Sequence, residues 1–317
     1  MGNPEFLHSL KSLTVRHRGC VATIGSFDGV HRGHKVVLQQ VKDKAKSLGL
    51  PSLVMVFEPQ PYEFFSRESA PARLMRLREK VCALFSEGVD RVLCLKFDES
   101  LRSLTAQAYI DQVLINGLGV KHLVIGDDFR FGCDRSGDFN MLCEAGKLNG
   151  FSVCDTQTQS DDGDRISSTR IRKLLEQDQL GDAQRLLGKD YSVYGRVIYG
   201  KQLGRKIGFP TLNIGLGRYR APVQGVYAVE VRQDGSASKK CWQGVANVGV
   251  RPTVEGNAKP LLEVHLLNEN QNLYGEFLTV VFKKKIRKEQ KFADVDELKL
   301  QIKRDSDAAR TFFADAK

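Results

Sequence analysis

The chain has 317 residues, 41% of them hydrophobic and 27% charged, a length and composition that suit a globular protein of two domains and exclude a disordered or fibrous one. A formal net charge of +10 suits anionic partners, phosphorylated small ligands and nucleic acid alike, without choosing between them. Seven widely spaced cysteines with no C-x-x-C pair argue against a disulfide framework or a zinc site and fit a reducing cytoplasm.

In the first half, strand-like runs are expected at 20–25, 52–57, 90–95, 121–125 and 151–155. They alternate with helix-type runs at about 34–48, 72–87, 105–116 and 138–149. The strands are apolar on both faces, as in a parallel sheet covered by helices. This βαβα order predicts an α/β fold, a Rossmann-like doubly wound sheet whose ligands bind beyond the carboxyl ends of its strands. No element is assigned to Met1–Phe6. A polar loop at 156–168 leads into a helix opening near Thr169, with Ser167 or Ser168 as its N-cap. A second short helix ends near Leu187-Gly188, and the domain boundary is placed there, giving domains 1–187 and 188–317.

The second half changes period. β-type runs at 191–199, 210–214, 225–232, 241–248, 261–267 and 276–284 are separated by Gly and Pro, with no long helical pattern between them. That predicts an antiparallel barrel or sandwich. Gln233-Asp234-Gly235 reads as a turn. A last amphipathic helix, from about Asp294 to Ala314, carries an apolar stripe of Val295, Leu298, Ile302, Ala309 and Phe312 that is expected to pack on the barrel. No apolar run approaches the roughly 20 residues needed to span a bilayer, and no apolar signal segment opens the chain.

The chemistry-bearing stretch of the first half is Gly25-Ser-Phe-Asp-Gly-Val-His-Arg-Gly-His34, set between a strand and a helix. There, backbone N–H groups and the positive helix end can meet an anion. His31 and His34, three apart at a helix entry, can reach phosphate oxygens from one side, and Gly33 clears the approach. Neither G-x-G-x-x-G in the first turn nor a P-loop occurs, which disfavours a dinucleotide dehydrogenase and a P-loop NTPase. Ser167, Ser168 and Thr169 at a helix start form a second anion site, and Arg172 one turn on can pair with a phosphate. Phe129 and Phe131 either line a pocket for a flat ring or pack in the core. Asp127 and Asp128 either bond a ligand or form a turn. In the second half, Gly200, Gly204 and Gly208 surround Lys201, Arg205 and Lys206, in a loop that either wraps phosphates or simply joins two strands. Thr211 and Asn213 are neutral oxygen donors suited to a magnesium ion already bound by triphosphate. Lys283 to Lys291 reads as a solvated strand end and loop, and Trp242 as core or barrel rim.

The GSFDGVHRGH stretch resembles the nucleotide-binding signature of the HIGH-type nucleotidylyltransferases, in the form carried by bacterial bifunctional riboflavin kinase/FAD synthetases. Phe57-Glu58-Pro59-Gln60-Pro61, Gly126 to Gly132 and Ile166 to Arg172 match that family in order. Residues 204–213, Gly-Arg-Lys-Ile-Gly-Phe-Pro-Thr-Leu-Asn, resemble its riboflavin kinase signature, continued by Gly225-Val226-Tyr227, Asn247 to Thr253 and Leu262 to His265. The resemblance spans nearly the whole chain. It implies a six-stranded antiparallel barrel with a terminal helix after the sheet domain. It also implies two reactions: phosphorylation of riboflavin to FMN by the second domain, and adenylyl transfer from ATP to FMN by the first, giving FAD and pyrophosphate.

By the same resemblance, His31, His34 and Arg172 serve adenylyl transfer, and Glu263 is the base toward the riboflavin 5′-hydroxyl. Nucleotide contacts fall at Gly25, Phe27, Asp28, Gly33, Ser167, Ser168, Thr169, Gly200, Gly204 and Arg205. Flavin contacts fall at Phe57, Pro59, Asp128, Phe129, Phe131, Gly225, Tyr227, Asn247 and Arg251. Thr211 and Asn213 hold Mg2+, with ATP as co-substrate. His265 shares the face of Glu263 or is structural. The family often has His at the position of Gln60, and some members have Asn at that of Asp128. The expected partners are riboflavin, FMN and ATP, with no nucleic acid and no membrane; the oligomeric state stays open, a monomer being favoured. The competing reading is a flavin- or RNA-binding protein on the same fold with one activity or none, which would retain RNA in a salt-sensitive way.

Overall fold

The structure is a computed structural model that describes residues 3–66, 68–126, 128–156, 160–200, 204, 207–233, 240–251, 259–269 and 273–315, apart from the side chains at 250, 251 and 259. By internal contacts the chain forms two units. The first is Met1–Pro71 with Leu77–Ser167, and the second is Ala72–Arg76 with Ser168–Lys317.

The first unit holds a parallel sheet of six strands: β1 (Glu5–Leu7), β2 (Val21–Ile24), β3 (Ser52–Glu58), β4 (Arg91–Lys96), β5 (His122–Ile125) and β6 (Ser152–Asp155). Their order is β1-β4-β3-β2-β5-β6. Period 2 divides each strand between two cores. Val21 and Val124 pack with Val41 and Ala45 of helix α1 (Arg32–Leu48). Ala22, Ile24, Leu53, Met55 and Leu123 pack on the opposite face with Ile110, Leu114 and Leu142. Gly49 closes α1 in the left-handed region at φ 65°, its N–H donating to the carbonyls of Ala45 and Lys46.

Three details of this part of the chain differ from expectation. β1 adds an edge strand beside β4, where the sequence offered only three residues, one of them buried. After the short helix α2 (Pro61–Phe65), the helix expected from 72 starts only at Leu77, as α3 (Leu77–Ser86). Residues 72–76 are instead non-helical and belong by their contacts to the second unit. Arg218 Nη1 donates to the Arg73 carbonyl at 3.0 Å, Arg172 Nε donates to the Ala72 carbonyl at 2.6 Å, and Arg76 donates to the Tyr194 carbonyl. After a single turn, α4 (Glu99–Arg102), the third helical run is α5 (Ala106–Tyr109) continued by a π-helical segment, Ile110–Leu118. Helix α6 (Phe139–Asn149) and a small hairpin, β7 (Ser160–Asp161) with β8 (Asp164–Arg165), complete the first unit.

The second unit opens with a helical hairpin, α7 (Ser168–Glu176) and α8 (Leu180–Leu187). A closed barrel follows: β9 (Ser192–Ile198), β10 (Leu212–Gly215), β11 (Gly225–Gln233), β12 (Cys241–Arg251), β13 (Lys259–Leu266) and β14 (Phe277–Arg287), all antiparallel, in the order β10-β13-β12-β11-β14-β9. By contacts the α7–α8 hairpin groups with the barrel. The reason is Asp178, in the link between α7 and α8, whose carboxylate binds Lys285 Nζ at 2.7 and 2.8 Å and accepts from the Tyr227 hydroxyl at 3.0 Å. Tyr227, Val229, Leu262, Val264 and Phe282 are buried inside the barrel, and Trp242 is buried too. Val226, Ala228 and Val245 point outward and are covered by Ala309 and Phe313 of α9 (Val295–Asp315). The stripe of α9 is thus rotated from expectation, since Phe313 is buried whereas Val295 is 52% exposed. Asp234 and Gly235 of the expected turn lie outside the described residues.

Candidate active sites

The chain runs from β2 outward through β3 to β4, then crosses back to β5 and β6 on the other side. Between β2 and β5 the loops diverge and open the crevice where such sheets take ligands. The loop after β2 is the Gly-Ser-Phe-Asp-Gly-Val-His turn. Phe27 (φ 46°), Gly29 (φ 89°) and Val30 (φ 41°) all lie in the left-handed region, and Phe27, Asp28, Val30 and His31 are buried. A loop this tightly wound, with its side chains buried, holds one shape.

That shape aims two imidazoles. His31 is the N-cap of α1, its Nδ1 accepting from the backbone N–H of His34 at 3.2 Å. The neutral His31 ring therefore carries its proton on Nε2. The His34 ring stacks on it and lies 4.8 Å from the Phe27 ring. Burial holds the His34 pKa well below 6.5, helped by His31, Lys80 and Arg165. His34 Nδ1 is buried and has no hydrogen-bond partner among the described residues. A Cβ at Gly33 would sit 3.2 Å from the His31 ring and from the Ile166 carbonyl, and one at Gly25 would sit 3.2 Å from the Phe27 ring. The structure thus brings Gly25, Phe27, Asp28, His31, Gly33 and His34 together and sets the chain just before Ser167 beside them.

At the end of β3, Phe57 and Pro59 are half-buried. Gln60 is buried and caps α2, with its own N–H donating to Glu63 at 3.1 Å, while its Nε2 has no partner among the described residues. In the loop after β5, Asp128 is exposed and accepts from Arg165 at 3.2 Å. Phe131 is core: it packs on Tyr109, and Gly137 leaves no room for a Cβ beside its ring. Phe129 stacks on Phe131 at 5.6 Å and stays partly accessible. Ser168 is the first residue of α7, which puts Ser167 at the cap position; Thr169 is exposed, and Arg172 is tied through Nε to Ala72. Asp127 lies outside the described residues.

In the second unit, β-sheet register builds the site. Asn213 of β10 pairs with Glu263 of β13, and Glu263 pairs with Asn247 of β12. Asn247 pairs with Val226 of β11, which pairs with Arg287 of β14. These side chains share the outer face of the barrel. They line a cavity of about 260 Å³ together with Gly204, Thr211, His265 and part of α9. Two carboxamide oxygens, Asn213 Oδ1 and Asn247 Oδ1, are buried without a hydrogen-bond partner among the described residues. A Cβ at Gly200 would collide with the Asn213 carboxamide, and one at Gly204 would come within 3.3 Å of Thr211 Oγ1. His265 Nδ1 lies 2.9 Å from the Pro210 carbonyl, so the proton is on Nδ1.

Two expected flavin contacts fall elsewhere. Tyr227 points into the barrel interior, one residue out of phase with the outward row, and its hydroxyl is held by Asp178 and the Gln224 carbonyl. Burial first, then Asp178, pushes its pKa up. Gly225, at φ 111°, lets β11 close on β14, where a Cβ would sit 2.6 Å from the Arg287 carbonyl. Arg205 and the side chain of Arg251 lie outside the described residues.

Sequence reasoning missed the contribution of the basic run. Its alternate cations are paired rather than solvated: Lys283 with Asp190 and Glu230, Lys285 with Asp178, and Arg287 with buried Asp305. Arg287 and Asp305 line the cavity, as does Glu289. Strand period gave no guide to these pairs, because register shifts in β14 put Lys285 opposite inward Tyr227 and Arg287 opposite outward Val226.

Residues 13–170 match the family model described as FAD synthetase, and residues 187–313 the one described as riboflavin kinase. A bifunctional riboflavin kinase/FMN adenylyltransferase from Pseudomonas fluorescens is 51% identical, with 98% of each chain covered. The protein of that description from Escherichia coli K12 is 52% identical over 97% of this chain and 96% of its own. A crystal structure described as a macrolide-efflux protein from Streptococcus pneumoniae superposes with TM-score 0.76 at 30% identity, covering 96% of this chain and 98% of that one. Among the described residues, no helix here is long and apolar enough to cross a membrane. With both family models matched in order and identity near one half along nearly its whole length, the chain belongs to the bifunctional riboflavin kinase/FMN adenylyltransferase family.

Proposed function

We propose that the barrel phosphorylates riboflavin to FMN and that the sheet domain adenylates FMN to FAD. The observation that carries this is the row Asn213–Glu263–Asn247, a carboxylate between two buried carboxamide oxygens that have no partner among the described residues, over one cavity. Glu263 accepts the proton of the riboflavin 5′-hydroxyl as its oxygen attacks the γ-phosphorus of ATP and ADP leaves. Asn213 Oδ1, without a partner among the described residues, and Thr211 on the same cavity fit a hard cation. Mg2+ held there would neutralise charge on the triphosphate.

For adenylyl transfer, an FMN phosphate oxygen attacks the α-phosphorus of ATP, the bond to the β-phosphate breaks, and pyrophosphate leaves. The nucleophile is already ionised, so the work is positioning and charge neutralisation. His31 Nε2–H donates to a phosphate oxygen. His34, kept neutral by burial, gains proton affinity when the phosphate arrives. Arg172 has the part that the family resemblance implies, neutralising phosphate charge. We keep the functional boundary at 187/188, where the riboflavin kinase match begins, although the α7–α8 hairpin packs with the barrel. None of the seven cysteines is in a disulfide, which suits a cytoplasmic enzyme. Incubation with riboflavin, ATP and magnesium, followed by chromatography, should show FMN and then FAD. The appearance of neither overturns this reading.

A further inference from the structure

Glu289, just beyond β14, has both carboxylate oxygens engaged. Oε1 accepts from Asn247 Nδ2 and Oε2 accepts from Gln224 Nε2, each at 3.3 Å. Gly249, two residues along the same strand face as Asn247, brings its backbone so close that a Cβ there would run into the Glu289 carboxylate. The carboxylate is thus wedged between β12 and the segment before β11.

A carboxylate can only accept, so it fixes which end of the Asn247 carboxamide it meets. Nδ2 is turned toward Glu289 and Oδ1 away from it. That Oδ1 is buried without a partner among the described residues, a state that ordinarily costs stability. Such a cost is sustained where a ligand brings the missing donor. Asn247 stands directly beside Glu263 in the register of β12 and β13. A polyol that places its terminal hydroxyl at Glu263 therefore has an inner hydroxyl within reach of Asn247, and the ribityl chain of riboflavin is such a polyol.

We propose that Glu289 is a positioning residue for riboflavin phosphorylation: it orients the Asn247 carboxamide so that Oδ1 accepts a hydrogen bond from a ribityl hydroxyl and sets the terminal hydroxyl on Glu263. The inference rests on the riboflavin kinase reading above. A glutamine in place of Glu289 would present an N–H to Asn247 and favour the reversed carboxamide, with Nδ2 on the ligand side.

The test is steady-state kinetics on the full-length enzyme. Glu289→Gln should raise the KM for riboflavin about tenfold and leave the KM for ATP within twofold. Adenylation of supplied FMN should be unchanged. Adding Asn247→Asp restores an oxygen on the ligand side, because the glutamine amide then donates to one carboxylate oxygen and leaves the other for riboflavin. The double variant should recover a riboflavin KM within about threefold of wild type. An unchanged riboflavin KM in Glu289→Gln, an equal rise in both KM values, or no recovery in the double variant overturns the proposal. A wild-type chain that makes no FMN removes the kinase reading and this proposal together. That result is distinct from normal FMN synthesis with an indifferent Glu289→Gln.

Discussion

The imidazoles of His31 and His34 stack with 3.6 Å between ring centroids and 15° between planes. Two cations cannot share that contact cheaply, and burial already holds His34 well below 6.5. As pH falls through 6.5 the unfolded chain takes up this proton while the folded chain does not. The stability due to a neutral His34 is therefore complete above that pH and is lost below it. Urea unfolding at pH 7.5 and pH 5.5 should show a smaller loss in His34→Gln than in wild type. Equal losses would mean that His34 titrates normally in the folded protein.

The two chemistries should separate by mutation. Replacing both His31 and His34 by Ala should lower FAD formation from supplied FMN by about 10²-fold or more, with FMN formation from riboflavin within twofold. Glu263→Gln should do the reverse, lowering FMN formation by about 10²–10⁴-fold and sparing adenylation. Loss of both activities in either variant would argue against two independent sites.

Gly200→Ala tests the carboxamide at Asn213. The added methyl collides with it and should turn Oδ1 out of place. The magnesium concentration giving half-maximal riboflavin kinase activity should rise several-fold, and that for FMN adenylation should not move. An unaltered magnesium dependence would take Asn213 out of the proposed metal site.

Arg287 meets Asp305 through both Nε and Nη2, at 2.8–3.1 Å, and the Asp305 side chain is only 4% exposed. Asp305→Ala leaves the guanidinium half-buried without its counter-charge. Since Arg287 keeps some solvent contact, a loss of about 3 kcal/mol is expected, at the lower end for a broken buried pair. Denaturant unfolding followed at Trp242, inside the barrel, measures it; a loss under about 1 kcal/mol would show that the pair is a surface bridge in practice.

The sequence made the His31–His34 turn legible because a strand, a glycine frame and a helix follow one another within a few residues. The barrel strands were legible from their period. Which face each residue takes was not. Tyr227 and Asn247 sit in equally apolar runs, and only the pairing of Tyr227 with Ala246 and of Val226 with Asn247 reveals that one points in and the other out. The paired cations of β14 were hidden for the same reason, since Asp178, Asp190 and Asp305 come from three distant segments. The segment 72–76 reads as helix by composition, and contacts formed a hundred and more residues later in the chain override that preference.

The interior of the barrel is filled by Tyr227, Leu262, Val264 and Phe282, so its chemistry is written on the outside of the strands. Each strand then carries two interleaved texts. Leu262 and Val264 answer to packing, while Glu263 between them answers to substrate. A change at Glu263 therefore leaves the packed interior of the barrel intact, whereas a change at Leu262 or Val264 is felt there first.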